Sequence, residues 1–179
     1  MVKSLLITPL LMALLSAPAL SQEYESAHWG QLSPAGWPDR DPLQGVDVSR
    51  LEDDDPKAIA LYAQLRAYKD QAPTVPELDG RRLSLPGYLV PLPEEDHQSA
   101  GGQYLLVPYD GACIHQPAPA RNQTVLIRVP DELDVRLEDR DGALQLYGEL
   151  SVDHRKTSMA ATGYTLTLHK TAPYRLRFN

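Results

Sequence analysis

The chain has 179 residues, 17 basic and 24 acidic, with a formal net charge of −7 and a pI near 5.1. That balance excludes a generally basic nucleic-acid binder, which needs Lys and Arg concentrated on one face. The length fits one domain and 42% hydrophobic residues suffice for a core, while 16 Pro and 11 Gly favour short strands and loops over long helices.

Lys3, the apolar run Leu5–Leu15 and the small residues Ala17 to Ser21 follow the order of a secretory signal. Ala19 and Ser21 stand at the spacing of a peptidase site, so residues 1–21 are expected to be removed before Gln22. The run is shorter than a bilayer-spanning helix. Cleavage takes away only Lys3, leaving a charge of −8 (16 − 24). No later stretch is apolar over about 18 residues, so the mature chain is not expected to be an integral membrane protein. Cys113 is the one cysteine, so no internal disulfide can form. A lone thiol in an oxidising compartment is unusual. It is buried, bound to a metal or kept for redox chemistry.

Residues 22–78 read as an irregular arm followed by one helix. Trp29 and Trp37 are anchors among Pro34, Pro38 and Pro42, expected to lie on the main domain. Asp55 before Pro56 is an N-cap and first-turn proline, and the helix is predicted from about 56 to 70. Ile59, Tyr62 and Leu65, with Tyr68 or Ala58, are its expected apolar stripe. Pro73 and Pro76 prevent continuation.

Residues 79–179 change to a period of two. Leu83–Leu89, Tyr104–Val107, Val125–Val129, Leu133–Leu137, Leu144–Leu150 and Tyr164–Leu168 read as six short strands. Gly87 and Gly148 fall inside strand patterns, where glycine marks a bulge or sharp bend. The loop expected over Ser151–Thr162 reads as solvated. No strand–helix–strand alternation is present, so a parallel nucleotide-binding sheet is excluded. The expected architecture is mainly β: a small antiparallel barrel of the oligonucleotide/oligosaccharide-binding (OB) type, with one N-terminal helix and the arm.

Cys113 and His115 are two apart. On an extended chain they share a face, with Cα atoms roughly 6–7 Å apart, which suits two ligands of one metal. Zinc accepts thiolate and imidazole, and copper(I) also fits. Zinc takes three or four ligands. Asp110, His97 and His154 are the further candidates, with His28 and His169 behind them, and spacing does not rank them. The plainer assignment makes Cys113 a small buried hydrophobe and His115 a hydrogen-bonded loop residue. A Cys–His nucleophile is the weaker reading, because residues two apart on a strand rarely point at each other and no orienting group is recognisable. Arg121-Asn122-Gln123 is expected to tie the preceding proline segment to the next strand. Asn122-Gln123-Thr124 also fits a glycosylation acceptor, a pattern common by chance.

Pro86-Gly87-Tyr88-Leu89-Val90-Pro91-Leu92, Leu105-Leu106-Val107-Pro108-Tyr109, Gly111-Ala112-Cys113-Ile114-His115 and Asn122-Gln123 together resemble a bacterial exported family, domain of unknown function 3299. Its members typically read GYVVPL, then FLLVPYFGACIHVPPPPPNQ. Asp110 stands where that pattern has Phe, and Gln116-Pro-Ala-Pro-Ala-Arg121 thins its proline run. The resemblance implies a periplasmic protein with an OB-like barrel. It further implies an accessory role in zinc homeostasis beside an inner-membrane ABC permease, and no established catalytic residues. The expected function is therefore a periplasmic binding or accessory protein with a weak zinc site at Cys113 and His115. The alternatives are a ligand-free interaction module of an envelope transport complex and, less supported, a cysteine-dependent enzyme. Sugar or peptide binding in the barrel mouth rests on fold analogy alone.

Overall fold

The computed structural model describes residues 23–40, 42–47, 51–52, 54–96, 103–112, 118–133 and 142–174. Among these the chain is mainly β, with six strands in one mixed sheet and a single α-helix. The strands are β1 (Glu25–Ser26), β2 (Arg81–Pro91), β3 (Gln103–Val107), β4 (Val125–Arg128), β5 (Leu144–Lys156) and β6 (Ala161–Pro173). The helix, α1, spans Pro56–Asp70.

The order of pairing explains the mixed directions. β2 pairs antiparallel with β5 over Arg81–Gly87 and with β3 over Tyr88–Pro91. β3 pairs with β4, β4 with β6, and β6 with β5, so the pairings return to β2. Five strands in a cycle cannot alternate direction at every contact. One neighbouring pair must be parallel, and it is β4 with β6. The short β1 adds a second parallel contact on β2. The expectation of an all-antiparallel sheet is corrected on these two pairs.

Gly87 sits where β2 changes partner. A Cβ there would stand 2.7 Å from the Val107 carbonyl oxygen and 2.9 Å from two Leu106 side-chain carbons. Gly148 lies at a register shift of the β5–β6 ribbon, where Tyr147 faces Lys170 but Gly148 faces Leu168. Its Cβ would come within 2.2 Å of the Thr167 carbonyl oxygen. Both positions exclude a side chain because neighbouring backbone occupies the space, as the glycines within strand patterns predict.

Two other expectations change. Ser151–Thr162 is not a loop: β5 continues to Lys156 and β6 begins at Ala161. Between them Thr157 accepts backbone N–H bonds from Met159 and Ala160 on its Oγ1, at 3.2 and 3.0 Å. The polar residues that resemble a loop are the exposed His154, Arg155 and Lys156 at the end of β5, whereas Met159 and Ala160 pack on an apolar cluster. Leu133 is held in a turn by its N–H bond to the Pro130 carbonyl, and 134–137 lie outside the described residues.

In α1, Asp55 caps the helix by accepting the Lys57 N–H at 2.7 Å. Its inward stripe is Ala58, Leu61, Leu65 and Tyr68, whereas Ile59 and Tyr62 are 56% and 49% exposed. Ala58, Leu65 and Tyr68 face inward as expected, but Leu61 takes the place of Ile59 and Tyr62, because a helix with little amphipathicity leaves its facing to long-range contacts.

Alternate residues of β2, β3 and β4 point into the main core. Leu83, Leu85, Tyr104, Leu106, Val125 and Ile127 meet Leu146, Leu150, Tyr164 and Leu166 there. Tyr164 is fully buried and connects three segments. Its hydroxyl donates to the Leu32 carbonyl at 2.8 Å and accepts the Val75 N–H at 2.7 Å. Trp29 adds an indole N–H bond to the Pro86 carbonyl at 2.7 Å, and Arg81 pairs with Glu25. The arm is therefore fastened to β2 and β6 by specific bonds.

Burial pushes the Tyr164 phenol above its ordinary value; the Val75 N–H opposes that shift and Glu77 adds to it. The native state thus holds this proton more tightly than the unfolded chain. Its contribution to stability is complete below the ordinary tyrosine pKa and is lost as pH rises through the raised value. Tyr164→Phe should cost about 1–3 kcal/mol at neutral pH, since it strands two buried backbone groups. It should also make the loss of stability above pH ~10 shallower than in the wild type, as read by urea midpoints across pH. Gly148→Ala should lower stability by about 3 kcal/mol through overpacking against backbone, measured the same way.

Candidate functional site

The segment that carries the candidate chemistry leaves the end of β3 and returns to β4. All five residues of β3 are buried, because both faces of that strand are covered. The core takes Tyr104 and Leu106. On the other face, Leu105 and Val107 join Val90, Leu92 and Leu126 in a second apolar cluster. That cluster is covered by Ala112, Ala160, Ala118 and Met159. The covering residues come from the β3–β4 connection and from the β5–β6 turn, two parts of the chain about 45 residues apart in sequence.

Side-chain bonds hold this cover. Lys69 Nζ donates to the Ala118 carbonyl and Arg66 Nη2 to the Met159 carbonyl, both at 3.3 Å. Lys69 lies in the last turn of α1, where it also suits the negative end of the helix dipole. The Asp96 carboxylate accepts the Ser158 N–H at 3.0 Å and the Ser158 hydroxyl at 2.6 Å. The chain entering the 97–102 segment is thus tied to the same turn that covers the second cluster.

Cys113, His115 and His97 lie outside the described residues. Their flanks are described: Asp96 precedes His97, while Ala112 and Ala118 bracket Cys113 and His115. Both flanks converge on the turn Thr157–Ala160. Asp110 is exposed, and its Oδ1 accepts the Gly111 N–H at 2.9 Å. His154 is at the other bulge of the β5–β6 ribbon, with Nε2 3.2 Å from Thr74 Oγ1. His28 precedes the 3-10 turn Trp29–Leu32, and its backbone N–H bonds Gln31 Oε1 at 2.9 Å. His169 bonds the Tyr24 hydroxyl through Nδ1 at 3.0 Å. Among the described residues no three His, Cys, Asp or Glu side chains stand close enough together to hold a metal ion.

The Arg121-Asn122-Gln123 segment does more than the sequence reading assigned to it. Arg121 donates twice to the Ala72 carbonyl, at 3.0 and 2.9 Å, and Asn122 Nδ2 donates to the Pro73 carbonyl at 2.9 Å. Gln123 Nε2 reaches the Trp29 carbonyl and the Ser33 hydroxyl at 3.0 and 2.9 Å. These bonds run to the arm and to the chain after α1 rather than to the next strand. Asn122 is 0% exposed and its amide nitrogen is engaged, which excludes glycosylation of the folded chain there. Three consecutive polar residues after a proline segment were the only sequence signal for this clasp. Its targets are 49 to 94 residues away in sequence and could not be read from it.

These features define a mainly β domain with one six-stranded mixed sheet, a single described helix and a clasped N-terminal arm. No described helix is long and apolar enough to cross a membrane. The family model described as Protein of unknown function (DUF3299) matches residues 29–173, and the chain belongs to that family. The crystal structure of a DUF3299 family protein from Pseudomonas aeruginosa PAO1, at 2.45 Å resolution, is similar at 33% identity and a TM-score of 0.64. The match covers 87% of this chain and 99% of that one. Comparison with curated proteins returns no match.

Gln123→Ala should release the arm. The expected loss is about 1–2 kcal/mol, from two hydrogen bonds and a partner left unsatisfied. Limited proteolysis should cleave within residues 23–47 faster than in the wild type, while the sheet remains resistant.

Proposed function

We propose that this protein is a periplasmic binding or accessory module that presents Cys113 and His115 as a weak zinc site. The observation that carries the reading is the convergence of the flanks of His97 and of Cys113–His115 on one turn, Thr157–Ala160. Chain ends fixed at one place raise the local concentration of the donors between them. The metal would take its thiolate and imidazole from Cys113 and His115, with His97 as a third donor. Asp110 and His154 are each engaged in bonds of their own, which favours His97 over them. The ABC permease partner and the OB-like barrel belong to the same proposal. Support for the barrel is the pairing cycle β2–β3–β4–β6–β5–β2 with its one parallel contact.

Zinc titration of residues 22–179, in competition with a chromophoric chelator, tests the site. Cys113→Ser/His115→Ala should bind at least tenfold more weakly, and His97→Ala should also weaken binding. His154→Ala should leave it unchanged. Equal zinc affinity in the wild type and the double variant removes the proposed site.

A further inference from the structure

Between the arm and α1 lies an open cleft of about 470 Å³, lined by Arg40, Pro42, Gln64, Ala67, Tyr68 and Gln71. That volume lies within the range of small-molecule sites. Gln64 lies in α1 and Gln71, seven residues on, is its C-cap; both line the cleft. Ala67, between them, keeps the floor of the cleft low.

Arg40 comes from the arm. Its guanidinium carbon stands 5.4 Å from the centre of the Tyr68 ring. Tyr68 is itself stacked on Trp37, with centroids 4.6 Å apart and planes at 20°. A cation over a ring is held by the quadrupole, which leaves the guanidinium N–H groups free to bond elsewhere. Among the described residues no carboxylate lies within ion-pair distance of Arg40, although the chain carries 24 acidic residues. The nearby Asp39 carboxylate accepts the Tyr68 hydroxyl at 2.7 Å and does not line the cleft. The cleft thus combines one positioned cation, two amides that donate and accept, and the apolar surfaces of Pro42 and Ala67.

We propose that this cleft binds an acidic sugar, with the sugar carboxylate on the Arg40 guanidinium and hydroxyls on the Gln64 and Gln71 amides. A planar guanidinium matches a carboxylate with two parallel bonds. An amide offers both a donor and an acceptor, which is what a hydroxyl requires. Pro42 and Ala67 suit the C–H face of a pyranose. A simple anion would use Arg40 but not the two amides, and a neutral sugar would not use the Arg40 charge.

Calorimetric titration of residues 22–179 with digalacturonate, maltose and acetate tests the assignment. Digalacturonate should bind with millimolar or tighter affinity, and maltose and acetate at least tenfold more weakly. Arg40→Gln and Gln64→Ala/Gln71→Ala should each weaken digalacturonate at least tenfold with unchanged circular dichroism. Arg40→Lys, which keeps the charge but not the two-pronged geometry, should fall between. Acetate binding as tightly as digalacturonate overturns the sugar, and maltose binding as tightly overturns the role of Arg40. No binding of digalacturonate, or unchanged affinity in well-folded Arg40→Gln, overturns the site.

Discussion

The approach of β2 to β3 at Gly87 is the constraint on which the sheet depends. The Val107 carbonyl oxygen would lie 2.7 Å from a Cβ at this position, inside any tolerated contact. Because glycine places no Cβ there, β2 can leave β5 and join β3 at consecutive residues. The exchange lets one strand serve two neighbours and brings the pairings back on themselves. Gly148 performs the matching task on the β5–β6 ribbon, where the register shifts by one residue. Bulges of this kind bend a strand and increase its twist, which a sheet that returns to its first strand requires.

The burial of β3 has a consequence for the loops around it. β3 is apolar on both faces, so the face turned away from the main core must be covered as well. The cover is built from the connection between β3 and β4 and from the turn between β5 and β6. Three side chains from elsewhere, Arg66, Lys69 and Asp96, fix it by bonding its backbone or its serine. The loops that carry the candidate donors are therefore rooted in packed structure. The position of their described flanks follows from the need to hide an apolar strand.

The arm is integrated by different means. It buries little continuous apolar surface, and it is held by aromatic anchors and buried hydrogen bonds. Trp29 bonds β2, Leu32 fills the core beneath Tyr164, and Gln123 holds the arm's backbone from the opposite side. Trp37 then reaches α1 through Tyr68, where partial desolvation and the Asp39 carboxylate raise the phenol pKa and keep it a donor. Helix and arm are thereby brought close enough to form a cleft between them.

Much of this was legible in the residues. Asp55-Pro56 set the start of the helix, because capping is a local interaction between neighbours. The strands β2 and β4 followed from a period of two and β3 from a short apolar run, and the glycines at 87 and 148 announced bends whose steric cause is now visible. The family followed from an ordered run of motifs. The facing of α1, the length of the β5–β6 ribbon, the parallel contact of β4 with β6 and the targets of Arg121, Asn122 and Gln123 were decided by tertiary structure. Each of these depends on groups tens of residues apart. A one-dimensional pattern records which face of a segment is apolar but not which segment will cover it, and in α1, with only a weak pattern, it records neither.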